Sequence, residues 1–258
     1  MAVLEYAKRG LIGVLTPQAN TTVEPEFNIL WPPGVSMINA RMTSSKDSIV
    51  DRLLDYLEQI DKTLDRFANA PIDAVAFGCT GASYLLGHKQ EAALCKRIEK
   101  ERNYRFVTAA RAVIDSFEAL NAKRIGLVSP YPQGLTEASI GYWENADYEV
   151  REVANVFNEE SDFHPIYSLT AVSATEGLRM LKHKGLDTIV MLGTGMPTLG
   201  PLLEVSGWTG PPVTSCMLSL AWRTTLYIDG QHPTRENMLA WSNGDPWQER
   251  MRAHDLPK

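Results

Sequence analysis

Two strand-and-turn units recur in this chain at almost one spacing, and that recurrence restricts the fold more than any other feature. Ile12-Gly13-Val14-Leu15-Thr16-Pro17 returns as Ile125-Gly126-Leu127-Val128-Ser129-Pro130, an offset of 113 from residue 12 to residue 125. Ile72-Asp73-Ala74-Val75-Ala76-Phe77 returns as Leu186-Asp187-Thr188-Ile189-Val190-Met191, an offset of 114 from residue 72 to residue 186. Chance supplies either match alone, because Ile-Gly-Leu-Val strands are common. Both together, in the same order, indicate a duplicated unit, and the period is far too long for a solenoid.

Each repeated run is short, apolar and bounded by Gly or Pro, the pattern of a buried strand. Further strands are expected at 35–40 and 104–108, and helices at 48–68, over a stretch that includes 90–101, and at 109–120. Cys216 follows a strand and opens an apolar helix. Strands alternating with helices predict an α/β fold with parallel sheets. The expected architecture is two pseudo-symmetric Rossmann- or flavodoxin-like lobes, each a parallel sheet flanked by helices, with the site between them. Residues 1–108 form the first lobe, completed by 218–258, and 109–217 the second. The tail from His232, with Trp241 and Trp247, is expected to wrap back over the body or a partner subunit.

The first repeated Asp-containing strand runs into Gly78-Cys79-Thr80-Gly81-Ala82-Ser83, small residues suited to a strand-to-helix turn. Open α/β sheets place ligands at that end of a strand. The N–H groups and dipole of a helix start favour an anion, and hence thiolate over thiol. Cys79 is therefore a candidate nucleophile or proton carrier; the plainer reading is a small buried cysteine packing like an alanine. Duplication would bring the matching turn of the second lobe, Gly193-Thr194-Gly195-Met196, to the opposite wall of one cleft. It carries a threonine in place of a thiol. Asn20, Thr21 and Thr22 follow the first strand and read either as an N-cap, with Glu24 and Glu26 in the first turn, or as a carboxylate-holding loop. Tyr131 and Gln133 occupy the equivalent place in the second half. Cys95 reads as filler on a helix face, and Cys216 as a small buried residue or a second group near the cleft.

Bulk properties remove several classes of function. Net charge is -6, and no Lys/Arg cluster is present that would track a phosphate backbone, so nucleic acid is not an expected partner. Three cysteines without paired spacing argue against a disulfide framework and for a reducing compartment, the cytoplasm. The first residues lack the apolar core of a signal peptide, and no apolar run is long enough to cross a bilayer. Five scattered histidines show no metal-ligand spacing. A phosphate loop and a Gly-x-Ser-x-Gly elbow are both missing from the sequence.

Over about residues 9–230 the chain resembles the aspartate/glutamate racemase superfamily, and within it the maleate cis-trans isomerase and arylmalonate decarboxylase branch. The resemblance is carried by Pro17-x-x-Asn20-Thr21-Thr22-x-Glu24-x-Glu26, by Gly78-Cys79-Thr80, by Pro130-Tyr131 and by Met196-Pro197-Thr198-Leu199. It implies a homo-oligomer with a cofactor-free, metal-free site for a small carboxylate or dicarboxylate. It also implies Cys79 as nucleophile, Tyr131 as a cleft tyrosine and Asn20 as a grip on a substrate carboxylate. Thr194 is the expected third catalytic position, and Pro17, Thr80, Gly81, Gly195 and Met196 are expected around the substrate. Two departures stand out. Thr194 replaces a second cysteine, and Asp162-Phe163-His164-Pro165 stands where such isomerases carry a second Asn. A single thiol fits maleate-type isomerisation by addition to a double bond, or else decarboxylation with Cys79 as proton donor. Two-base racemisation is disfavoured, and binding without chemistry is the remaining class.

Overall fold

The structure, a computed structural model, describes residues 4–159 and 164–254. It contains two four-stranded, wholly parallel sheets of identical order. The first is built from β1 (Gly10–Pro17), β2 (Val35–Met42), β3 (Ala74–Phe77) and β4 (Arg105–Thr108), in the order β2-β1-β3-β4. The second uses β5 (Arg124–Ser129), β6 (Glu149–Asn155), β7 (Thr188–Met191) and β8 (Val213–Ser215), in the order β6-β5-β7-β8. Register repeats as well: Ile12 pairs with Ala74, and Ile125 with Thr188.

The duplicated residues explain themselves physically. Asp73 Oδ2 accepts the Leu11 N–H at 2.8 Å, and Asp187 Oδ2 accepts the Arg124 N–H at 2.7 Å. Each aspartate also donates its own N–H back to the same strand start, Asp73 to Leu11 and Asp187 to Arg124. The Asp therefore sets the register of two adjacent parallel strands, which carry no hairpin to do it. The Arg124 guanidinium, hydrogen-bonded to Asp187, holds that carboxyl at about 2. Gly13 and Gly126 are glycine for space: a Cβ there would lie 2.9 Å from Phe67 and 2.5 Å from Leu186.

Helices cover both faces: α1 (Val23–Leu30), α2 (Ile49–Glu58), α3 (Ile60–Leu64), α4 (Thr80–Leu86), α5 (His88–Arg102) and α6 (Ala109–Leu120), then α7 (Gln133–Glu144), α8 (Ala171–Leu181), α9 (Leu199–Val205) and α10 (Cys216–Asp229), with α11 (Arg235–Ser242) and α12 (Gln248–Ala253) in the tail. The helix expected at 48–68 is α2, α3 and a 3-10 turn at Asp65–Phe67. Gln59 leaves helical geometry, and its carbonyl takes the Thr63 hydroxyl at 3.0 Å, a side-chain bond that competes with the helical ladder.

One exchange ties the halves together. Helix α10 leaves β8 of the second sheet yet packs on β3 and β4 of the first; α6 leaves β4 of the first and reaches β7 and β8 of the second. The two helices lie against each other, joined by Ser116 Oγ to Ser219 Oγ at 2.8 Å and Arg223 Nε to Asp115 Oδ2 at 2.5 Å. The tail returns over both halves. Arg250 donates to the carbonyls of Ile29 and Leu30, and Trp241 and Trp247 are buried. Among the described residues no helix is long and apolar enough to cross a membrane.

Candidate active site

The strand order changes direction between β1 and β3, and between β5 and β7, which is where a doubly wound sheet leaves a crevice at its carboxyl edge. The two crevices face each other. Pro17 and Gln18 end β1, Cys79 follows β3, Tyr131 follows β5, and Gly193, Thr194 and Gly195 follow β7; all line one cleft of about 50 Å³. This is far below the roughly 300 Å³ at the small end of drug-sized sites, so the cleft suits a molecule of few atoms.

Cys79 is the residue before α4, 3% exposed. The Ala82 N–H lowers its pKa as the dipole argument expects, but burial is the larger effect and pushes the thiol up to about 12. The expectation of a favoured thiolate is thus corrected: burial outweighs the helix start and favours the thiol. Tyr131 is buried, and loss of solvation holds its phenol well above its usual value, so it is an O–H donor. Thr80, beside it, has a buried hydroxyl with no hydrogen-bond partner among the described residues. Gly81 faces Leu53 and Leu135; a Cβ there would approach Leu53 to 3.0 Å.

Thr194 crosses the cleft. Its Oγ1 donates to the carbonyl oxygen of Gly78 at 2.7 Å and accepts from Asn20 Nδ2 at 3.4 Å. Thr22 Oγ1 donates to the Gly195 carbonyl at 2.8 Å. Glu26 takes the Thr198 N–H at 2.6 Å and so caps α9 from the other lobe. Burial raises the Glu26 carboxyl to about 7 against the pull of those Thr198 bonds. The Asn-Thr-Thr-x-Glu-x-Glu run is therefore largely a clasp between lobes.

Two expected substrate contacts lie elsewhere. Asn20 does not line the cleft: it sits behind Thr194, its Oδ1 taken by the Thr22 and Val23 N–H groups at 2.8 and 3.1 Å. Met196 is fully buried away from the cleft. Sequence reasoning missed the wall made by α2, where Ile49, Arg52, Leu53 and Tyr56 line the cleft at helical spacing. It also missed Tyr167, whose ring stacks on His164 at 4.0 Å. Of the divergent segment, Asp162 and Phe163 lie outside the described residues. Burial and the Arg52 charge lower the His164 pKa, which favours the neutral imidazole. Cys216 is buried beside Thr80 and Tyr84 and does not line the cleft; burial pushes its thiol up to about 11.

Twinned parallel sheets with one cysteine and a bridging threonine at the facing strand ends define an enzyme of the aspartate/glutamate racemase type. Residues 12–237 match the family described as arylmalonate decarboxylase, and the chain belongs to that family, in the branch that also holds the maleate isomerases. The maleate isomerase of Geobacillus stearothermophilus is 26% identical over 230 residues, covering 84% of this chain and 91% of that protein. The solved maleate isomerase Iso of Pseudomonas putida S16 has a TM-score of 0.77 at 24% identity, covering 85% of this chain and 93% of that one. A Nocardia farcinica maleate cis-trans isomerase with a covalently bound succinylcysteine intermediate has a TM-score of 0.75 at 21% identity, with the same coverage.

Proposed function

We propose that this enzyme converts a small cis-unsaturated acid of the maleate type to its trans isomer, with Cys79 adding to the double bond. The observation that carries this reading is the pairing of one cleft sulfur, Cys79, with Thr194, whose proton is committed to the Gly78 carbonyl. Among the described residues such a cleft has no second thiol facing Cys79 for the two-base exchange of a racemase. It has what reversible addition needs. The relatives named maleate isomerase and the succinylcysteine seen in the Nocardia protein support covalent addition of a cysteine sulfur to the double bond.

In this mechanism a bond forms between Cys79 Sγ and one alkene carbon while the π bond breaks. Its electron pair moves into the adjacent carboxylate, and the thiol proton ends on the oxygen where that charge arrives. Donation from Tyr131, Thr80 and the turn N–H groups stabilises the added charge; one well-placed donor is worth roughly 3–4 kcal/mol. The former double bond is now single and rotates. Re-forming the π bond returns the proton and expels the sulfur, giving the trans acid. The substrate thus supplies the base that a buried, high-pKa thiol lacks.

The family description favours a second reading, decarboxylation of a malonate with Cys79 as proton donor. The small cleft weighs against an aryl substrate. Incubation with maleate and, separately, with phenylmalonate, followed by proton NMR, decides between them. Fumarate formed by the parent and not by Cys79→Ala is the expected result; decarboxylation of phenylmalonate without fumarate would replace the isomerase reading.

A further inference from the structure

Arg52 is out of place by every local rule. It lies in the first turn of α2, where the helix dipole favours acids, and on the stripe Ile49, Arg52, Leu53, Tyr56 that faces the cleft. Among the described residues its guanidinium makes no ion pair or hydrogen bond, and its charge is felt instead by Tyr56, His164 and Tyr167. Asp55, one turn on, is engaged by Gln59, and Asp51 by Ser48. Arg41, the other nearby guanidinium, is committed to Glu24 and the carbonyls of Pro17 and Asn20. His164 is held toward neutrality. Arg52 is therefore the one arginine or lysine among the described residues of the cleft wall, half-buried on a wall it shares with Tyr56, His164 and Tyr167.

An unpaired guanidinium in such a setting offers a fork that matches a carboxylate. We infer that Arg52 is the specificity residue for a second carboxylate of the substrate, distal to the one beside Cys79, so that the site selects dicarboxylates over monocarboxylates. Resting on the isomerase reading, this deepens it: Arg52 replaces the hydration that the second carboxylate loses at one end, while the Tyr131 and Thr80 donors serve the reacting end. Tyr56 and Tyr167 line the same wall.

The test is calorimetric titration in a Cys79→Ser background, where covalent addition cannot intervene. The ligands are maleate and isocrotonate, which share a cis four-carbon skeleton and differ in one carboxylate. Arg52→Gln is expected to weaken maleate at least tenfold and isocrotonate less than twofold, with Arg52→Lys between. Loss below threefold for maleate, equal loss for both ligands, or a parent protein with no preference for maleate would each overturn the assignment. An unchanged melting temperature in Arg52→Gln shows that the fold is intact, as expected for a side chain without partners. The two readings fail separately. Arg52-dependent binding of maleate with no fumarate in the NMR assay sinks the isomerase and spares the anchor; fumarate with Arg52-independent binding does the reverse.

Discussion

The hydroxyl of Thr194 donates to the carbonyl oxygen of Gly78 at 2.7 Å, fastening the turn after β7 to the residue immediately before Cys79. A second cysteine at this position would be a weaker donor on a longer bond. The threonine instead fixes the backbone immediately before Cys79.

Thr194→Val keeps the shape and removes the donor, leaving the Gly78 carbonyl and the Asn20 amide without their partner. A buried acceptor left unpaired costs about 1–3 kcal/mol. The expected loss in urea unfolding lies in that range, with Thr194→Ser close to the parent. Equal stability in Thr194→Val would mean that the bridge contributes nothing.

The raised thiol pKa of Cys79 has a sign that can be read directly. Thiolate is the reactive form, and below the pKa its fraction rises about tenfold per pH unit. Alkylation of Cys79 by iodoacetamide, located by peptide mass spectrometry, should therefore still be climbing at pH 10 in the ligand-free protein. A plateau near neutrality would show that the helix start prevails over burial.

Glu26 makes a further pH prediction. Its folded pKa of about 7 lies above its ordinary value of 4.5, so the folded state holds a proton that the unfolded chain releases. Its contribution to stability is complete below pH 4.5 and declines as pH rises through 7, at about 1.4 kcal/mol per pH unit in that window. Glu26→Gln, which cannot titrate, should gain on the parent over the same interval in unfolding measured from pH 4.5 to 8. Parallel stability profiles for the two proteins would contradict the assignment.

Gly195 is glycine because Tyr167 leaves no room. An added Cβ would sit 2.4 Å from that ring. Gly195→Ala should displace Tyr167, at an overpacking cost of about 1–3 kcal/mol, and should raise KM for substrate more than it lowers kcat. Unaltered KM would place Tyr167 outside the substrate's reach.

Much of the scaffold was readable because duplication left two copies of each signal. The Ile-Gly and Asp-containing strands gave the four central strands, and α6 falls on its expected residues, 109–120. Edge strand β6, half-buried and with a register shift against β5, offers no continuous apolar run and passed unread. In the site, Cys79, Tyr131 and Thr194 were legible because strand ends in this topology converge. Arg52 and Tyr56 were not: their stripe also reads as an ordinary amphipathic helix, and only tertiary placement turns it toward the cleft. Asn20 shows the opposite failure, since one amide can either cap or bind, and its partners are settled by the fold.

The crossing of α6 and α10 has a consequence for how this molecule comes apart. Each sheet is roofed by a helix that the other sheet's last strand sends over, so neither half can be completed alone. Denaturant should find a single cooperative unit despite the twofold pattern, and a fragment cut at the midpoint would present a bare sheet face prone to aggregate. The same braid ties the two halves to each other at their sheet faces as well as at the cleft.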